Sequence, residues 1–306
     1  MTTLVFGHKA PDTDSTGSPI VWAWYLNEIK GVDAKPMLLG EPNTEALFVL
    51  DHWALDKPEI LTDLAADTPV VIVDTNNPAE LPGNINDADI TGIIDHHRLV
   101  AGLETRGPIE INIQPLACTA TIMYKMIGKD WAQAPRGVKG AALSCILSDT
   151  LAFRSPTTTQ EDRAIAEALA QDLGVDIDSY ADEMFAAKSD VSAFSEAELL
   201  RMDSKEFDLD GTALRVSVLE TTSPQPLLER KDALMQAMPK VAEEDGAAEV
   251  LLFVVDILKE EATLLVPNDT VRRIAERSFE ARVEGDTVVL PGIMSRKKQI
   301  IPNLKL

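Results

Sequence analysis

The sequence predicts an α/β protein in two parts: an N-terminal domain with a mainly parallel sheet flanked by helices, and a smaller C-terminal α/β domain. Three observations carry this expectation. Short β-branched runs alternate with longer helical patterns from residue 1 to about 188, the signature of βαβ units. The stretch KSDVSAFSEAE at 188–198 then turns small and polar. A length of 306 residues also exceeds the ~250–300 at which a single core stops growing.

In chain order, the first domain reads as strand TLVFG, a helix near 15–30, strand KPMLL, a helix near 43–55, and strands PVVIVD and TGIID. Helices near 119–128, 136–148, 159–173 and 177–187 follow, the third opening on Thr158, Thr159 and Glu161 as cap and first-turn residues. Beyond the polar stretch, KEFDLDGTALRVSVLE reads as a hairpin with Asp210-Gly211 at its turn. A helix over about 226–244, strands at 248–256 and 262–266, a helix at 268–278, a strand at 286–290 and the basic segment SRKKQ complete the chain. The expected division is therefore 1–188 as a metal-binding catalytic domain, 189–198 as hinge, and 199–306 as a substrate-binding domain. No internal repeat or low-complexity tract interrupts it.

Composition narrows the function classes. With 45% hydrophobic and 25% charged residues, the chain is an ordinary globular protein. The N-terminus lacks a basic region followed by a long apolar stretch, and VLLFVVDIL is too short to span a bilayer, so a soluble, cytoplasmic protein without a membrane partner is expected. Cys118 and Cys145 lie in apolar helical patterns and read as buried free thiols. A net charge of −22 repels phosphate backbones and anionic membranes, which disfavours nucleic acid as a partner. A small anionic substrate needs only a local cationic pocket, and divalent metal can supply much of that charge.

The chemistry gathers at the ends of the apolar segments. In an open parallel sheet ligands bind beyond the carboxyl ends of the strands. TLVFG delivers His8, then Asp12 and Asp14; VVIVD delivers Asp74; TGIID delivers Asp95, His96 and His97; the apolar helix AALSCILSD ends in Asp149. Of four histidines only His52 falls elsewhere, within a helical pattern. Any one of these aspartates taken singly reads as a turn residue or helix cap; together they read as a metal site. Crowded carboxylates raise one another's pKa values unless cations neutralise them. Asp12, Asp14, Asp74 and Asp149 with two imidazoles suffice for two divalent ions, and a bridging carboxylate would hold such a pair at ~3.5–4 Å, the spacing of two-metal phosphoryl chemistry. Mixed nitrogen and oxygen ligands suit Mn²⁺, Fe²⁺, Co²⁺ or Zn²⁺ better than Mg²⁺, and the absence of cysteine argues against structural zinc. SRKKQ places three consecutive cations in a chain with 50 acidic and 28 basic residues. Alone it reads as a solvated face; beside a site for an anion it reads as a phosphate grip.

GHKAPDTDS, VVIVD, IIDHH and SRKKQ, in that order and spacing, resemble the DHH phosphoesterase superfamily, and specifically its manganese-dependent family II inorganic pyrophosphatases. The likeness extends over nearly the whole chain and includes PLACTAT at 115–121, LSDT at 147–150, SPT at 155–157 and KEF at 205–207. It implies that His8, Asp12 and Asp74 hold one metal and that Asp14, Asp74, His96 and Asp149 hold the other, with Asp74 bridging. It also implies that His97 approaches the substrate, that Asp95 orients a ligand from behind, and that Lys205, Arg296 and Lys297 bind phosphate. Arg296 can grip oxygens bidentately while Lys297 and Lys205 act as point charges; Lys298 could serve either role or none. The implied cofactors are two Mn²⁺ per subunit, with Co²⁺ as a substitute, and further Mg²⁺ carried by the substrate. The implied assembly is a homodimer through the N-terminal domain, with the active site in the cleft between domains and the second domain closing over it. One position departs from the pattern: the family often has His after the bridging Asp, and here Thr75-Asn76 follows Asp74.

The expected activity is hydrolysis of inorganic pyrophosphate to two phosphates by a metal-activated water attacking in line, with Asp74, His97, Arg296 and Lys297 as the catalytic group. The nearest alternative is an exopolyphosphatase or a short-oligonucleotide phosphodiesterase on the same scaffold. The Gly-rich GGGH-like motif of related nucleases is missing here. A non-catalytic phosphate-binding regulator would tolerate loss of the bridging carboxylate or the cationic cluster, and both are present.

Overall fold

Runs such as Thr3–Phe6 and Pro69–Val73 lack a polar face, and the sheet they build is covered on both sides. The computed structural model describes residues 1–209 and 211–306. The chain divides into two units, Met1–Ala187 and Lys188–Leu306.

The first unit runs β1 (Thr3–Phe6), α1 (Thr13–Glu28), β2 (Ala34–Leu38), α2 (Thr44–His52), β3 (Glu59–Ile60), β4 (Pro69–Val73), β5 (Asp89–Asp95), β6 (Glu110–Ile113), α3 (Thr119–Ile127), α4 (Arg136–Asp149), α5 (Gln160–Leu173) and α6 (Ile177–Lys188). Its six strands lie in the order β3-β2-β1-β4-β5-β6, and every pairing is parallel. Alternate residues of β4 enter different cores: Val71 and Val73 meet the helical layer of α1, α3, α4, α5 and α6, while Val70 and Ile72 meet Leu64, Leu81 and Ile85 on the other face. The strand order reverses between β1 and β4, the place where an open sheet leaves a crevice at its carboxyl edge.

Helix α4 is buried all round, including Val138, Leu143, Ile146 and Leu147, each worth roughly 1.5–3 kcal/mol on burial. Its last residue, Asp149, is thereby held in place. The helix approaches its neighbours through small residues. A Cβ on Gly17 of α1 would stand 2.5 Å from Cys145 Sγ, and one on Gly140 would stand 2.0 Å from the Trp53 ring. Gly140→Ala is therefore expected to destabilise the protein by about 1–3 kcal/mol despite alanine's better helix propensity. A lower urea midpoint would register this; an unchanged midpoint would mean that the Trp53 ring yields freely.

The second unit runs α7 (Glu196–Met202), β7 (Ser204–Leu209), β8 (Thr212–Thr221), α8 (Gln225–Leu228), α9 (Lys231–Glu244), β9 (Glu249–Asp256), β10 (Glu261–Leu265), α10 (Asp269–Phe279) and β11 (Thr287–Pro291), with a short helical turn at Arg296–Ile300. The sheet order is β11-β10-β9-β8-β7; β8 and β9 pair in parallel and the rest antiparallel. Leu251, Phe253 and Val255 of β9 pack toward α10, while Val250, Leu252 and Val254 pack toward α7 and α9.

Three details differ from or qualify the sequence reading. The end of the polar stretch is helical, because Ser195 and Glu198 form a reciprocal capping box that starts α7. The helix expected over 226–244 is interrupted at Glu229–Arg230, where the Arg230 guanidinium reaches the carbonyls of Val191 and Phe194 and the carboxylate of Glu196. The hairpin expected at KEFDLDGTALRVSVLE is formed by β7 and β8; Asp210 of its turn lies outside the described residues, and Gly211 has φ +83°. Among the described residues no helix is long and apolar enough to cross a membrane, and Cys118 and Cys145 are buried free thiols.

Candidate metal centre

Each donor reaches the crevice from the end of a different element. His8 follows β1, and Asp12 caps α1 by accepting the Ser15 N–H at 2.9 Å. Asp14 lies in the first turn of α1 and is buried. Asp74 follows β4 in the left-handed region, φ +58°, with its N–H donated to Ile94 O at 2.9 Å. Asp95 ends β5, followed by His96 and His97, and Asp149 ends α4. Beyond Thr150, the C-cap of α4, Leu151, Ala152 and Phe153 are all left-handed, a conformation that costs about 1–2 kcal/mol per non-glycine residue. The backbone is thus left-handed at Asp74 itself and in the turn that follows α4.

The structure brings these side chains into three overlapping groups: His8, Asp12 and Asp74; Asp14, His96 and Asp149; and Asp74, His96 and His97. Within each, one potential ligand atom per residue lies within 4.8 Å of the others. His8 Nε2 stands 3.6 Å from Asp12 Oδ2 and 3.4 Å from Asp74 Oδ2, and His96 Nε2 stands 3.3 Å from Asp74 Oδ1. Asp74 therefore faces both imidazoles with different oxygens. The Nδ1 atoms of His8 and His96 point instead at backbone carbonyls, of Lys9 at 2.8 Å and Leu116 at 3.2 Å, an arrangement that orients Nε2 for a metal.

Asp95 stands behind this set. Its Oδ1 accepts the N–H groups of His96 and His97 and meets His97 Nδ1 at 2.9 Å, while Oδ2 accepts from Asn76 Nδ2. Burial works against its charge, but the bonds from His97 and Asn76 prevail and hold its pKa below the usual carboxylate range. His97, bonded to Asp95, is raised above an ordinary histidine and is half exposed.

Two observations favour a cation here. Asp74 Oδ2 and Asp149 Oδ2 are buried without a hydrogen bond, an arrangement that is costly for a carboxylate unless a cation meets it. The carboxylates also crowd one another. Burial, then the charge of Asp74, raises Asp14 to about 6, and burial with Asp14 raises Asp149 well above its ordinary value. Burial disfavours a charged His8 and His96, yet hydrogen bonds and charges from Asp12, Asp74 and Asp14 outweigh it, lifting them to about 11 and about 9. The protein holds protons where a divalent ion would relieve the same repulsion. The donor set fits such an ion.

Sequence reasoning missed the groups that support this set. Thr119 donates its N–H to Asp14 Oδ2 at 2.8 Å and its hydroxyl to Asp74 Oδ1 at 3.2 Å, and Ser18 donates to Asp14 Oδ1 at 2.5 Å. Asn76 also accepts the Val100 N–H and donates to Arg98 O, fastening the turn after β5. At the departing position, Thr75 donates to Glu80 Oε2 at 2.6 Å and accepts the Asn77 N–H. The words PLACTAT and Thr75-Asn76 were the available signals.

In the second unit, Lys205 is an exposed residue of β7 and Lys297 and Lys298 are exposed on the turn Arg296–Ile300. Arg296 binds Asp203 twice, Nη2 to the carboxylate at 2.7 Å and Nη1 to the backbone carbonyl at 2.8 Å. The guanidinium is thus fastened to the residue that precedes β7, close in sequence to Lys205.

A parallel sheet with imidazoles and carboxylates on its carboxyl edge, joined to a mixed second sheet, defines the class. Residues 2–149 match the DHH family, N-terminal domain, and residues 182–306 match the DHHA2 domain. Over 303 residues the chain is 35% identical to a "probable manganese-dependent inorganic pyrophosphatase" of Lactobacillus acidophilus, covering 98% of this chain and 97% of the relative. A protein of the same description from Streptococcus agalactiae is 33% identical over the same shares. Among solved structures, a Methanococcus jannaschii "putative family II inorganic pyrophosphatase" aligns with TM-score 0.62 at 32% identity, over 98% of this chain and 97% of that one. An exopolyphosphatase-related protein of Bacteroides fragilis shares the fold, with TM-score 0.51 at 14% identity over 98% and 89%. The chain belongs to the family of manganese-dependent inorganic pyrophosphatases.

Proposed function

We propose that this protein hydrolyses inorganic pyrophosphate to two phosphates using two Mn²⁺ ions per subunit. One would be held by His8, Asp12 and Asp74 and the other by Asp14, Asp74, His96 and Asp149. The observation that carries this reading is Asp74, whose two oxygens face different imidazoles and whose buried Oδ2 has no hydrogen bond. Such ions lower the pKa of water toward neutrality and neutralise phosphate oxygens. The chain's own residues do the rest. Asp95, hydrogen-bonded to His97, favours its protonated form and aims the ring, so that His97 can donate to a phosphate oxygen or to the departing phosphate. Arg296, Lys297 and Lys205 of the second unit bind the phosphate groups and offset the charge that builds on them, with Mg²⁺ entering alongside the substrate. Water adds one oxygen to phosphorus as the bridging P–O bond breaks. The expected homodimer uses the first unit, whose edge strand β6 is open and presents Ile111 at 52% exposure.

The testing experiment measures phosphate release from pyrophosphate, tripolyphosphate and a dinucleotide by protein stripped of metal and restored with Mn²⁺ or Co²⁺. Mn²⁺-dependent turnover of pyrophosphate is the expected result. Inactivity on pyrophosphate with turnover of tripolyphosphate or the dinucleotide would replace it with the exopolyphosphatase or phosphodiesterase reading.

The crowded pKa values give a further expectation. His8 near 11 and His96 near 9 carry protons at pH 7 in the metal-free protein, and these must leave before Nε2 can bind an ion. Mn²⁺ affinity should therefore rise from pH 6 to pH 9. At pH 7 the binding heat should depend on the ionisation enthalpy of the buffer; a buffer-independent heat would mean the imidazoles were already neutral.

A further inference from the structure

We propose that Asp162, a residue of α5, is a positioning residue for the metal centre, acting through the segment 116–121. The inference rests on the reading of Asp14, Asp74 and His96 as metal ligands.

Asp162 is fully buried and makes the capping box of α5 with Thr159, whose N–H and hydroxyl it accepts on Oδ2 at 2.9 and 2.6 Å. A cap needs no more than that, and capping carboxylates are ordinarily exposed. Asp162 also accepts the Ala117 N–H on both oxygens, at 3.3 and 3.1 Å, and the Thr121 hydroxyl on Oδ1 at 2.6 Å. It thus grips one segment at two points, and the residue midway between them is Thr119.

Thr119 gives both its donors to the centre, the N–H to Asp14 and the hydroxyl to Asp74. One residue before the first grip point, the Leu116 carbonyl faces His96 Nδ1. Three expected ligands are therefore oriented from a span of four residues that Asp162 fixes at Ala117 and beyond at Thr121. The start of α3 leaves room for this arrangement, because its N-cap is Cys118 and makes no side-chain cap. The orphan N–H groups of that first turn are available to carboxylates from elsewhere, and Asp14 takes one of them. Asp162 is placed where loosening it would free Thr119, and with it the aim of Asp14 and Asp74.

The experiment compares Thr121→Val, Thr121→Ser and Thr159→Ala in the full chain by calorimetric titration of the metal-free protein with Mn²⁺, alongside its thermal melting. Thr121→Val removes the Thr121 half of the grip while leaving the cap and the Ala117 N–H in place, and should weaken Mn²⁺ binding about 10–100-fold, the range for partners that orient ligands. Thr121→Ser restores the hydroxyl and should recover the affinity. Thr159→Ala breaks only the cap and should lower the melting temperature while leaving Mn²⁺ affinity within about twofold, below that outer-partner range. Asp162→Asn, which retains one acceptor oxygen, should weaken Mn²⁺ in the same direction as Thr121→Val and serves if that variant does not fold. Wild-type affinity in a folded Thr121→Val or Asp162→Asn protein would overturn the proposal. Absence of Mn²⁺ binding by the wild type would instead overturn the metal reading beneath it.

Discussion

Asp74→Asn is expected to lower Mn²⁺-dependent pyrophosphate turnover by on the order of 10³-fold or more, beyond the 10–100-fold typical of residues that merely orient a ligand. The substitution is close to isosteric, tolerates the left-handed backbone at φ +58°, and can still accept from Thr119. What it removes is a buried negative charge shared by two donor groups. In the metal-free protein two effects oppose each other: the change relieves the repulsion by which Asp74 raises Asp14 and Asp149, and it removes the charge that faces His8 and His96 at 3.4 and 3.3 Å, so the melting temperature without metal should move far less than turnover. The paired measurement is turnover with Mn²⁺ and thermal melting without it. Retention of a tenth or more of wild-type turnover would remove Asp74 from the bridging role.

Arg296→Lys should reduce kcat/KM for pyrophosphate about 10–10²-fold, which corresponds to the ~1.5–3 kcal/mol of one hydrogen bond to a charged group. Charge is conserved in this change, but the planar fork is not. Two of its five N–H donors are already given to Asp203, which sets the plane in which the others point. An ammonium on a flexible stem cannot hold that contact and grip two phosphate oxygens together. Steady-state kinetics checks this, and equal kcat/KM in the variant would assign Arg296 a purely electrostatic part.

The fold was legible where local pattern and tertiary environment agree. β4 reads as a strand because Pro69–Val73 is continuously apolar, and it is buried on both faces. The helices from 119 to 187 were legible from runs too long for strands and, at α5, from cap and first-turn residues. Glu59–Ile60 and Glu110–Ile113 were not, being a two-residue strand and an edge strand with an exposed face; their pairing partners are remote and leave no local trace. α7 was hidden by small polar residues that form a cap. The donor residues of the centre stood out because imidazoles are scarce in this chain and sit at strand ends. Thr119, Asn76 and Asp162 did not, since Thr, Asn and Asp are ordinary cap and turn residues until distant contacts show what their hydrogens reach.

The crossing of the chain at β1 and β4 also sets an order in time. His8, Asp12 and Asp74 all exist once residue 74 has been made, whereas the group of Asp14, His96 and Asp149 is completed only by the last residue of α4. During vectorial synthesis the two halves of the centre therefore become available one after the other. A nascent chain halted before α4 would carry every donor of the first half and lack the carboxylate that finishes the second.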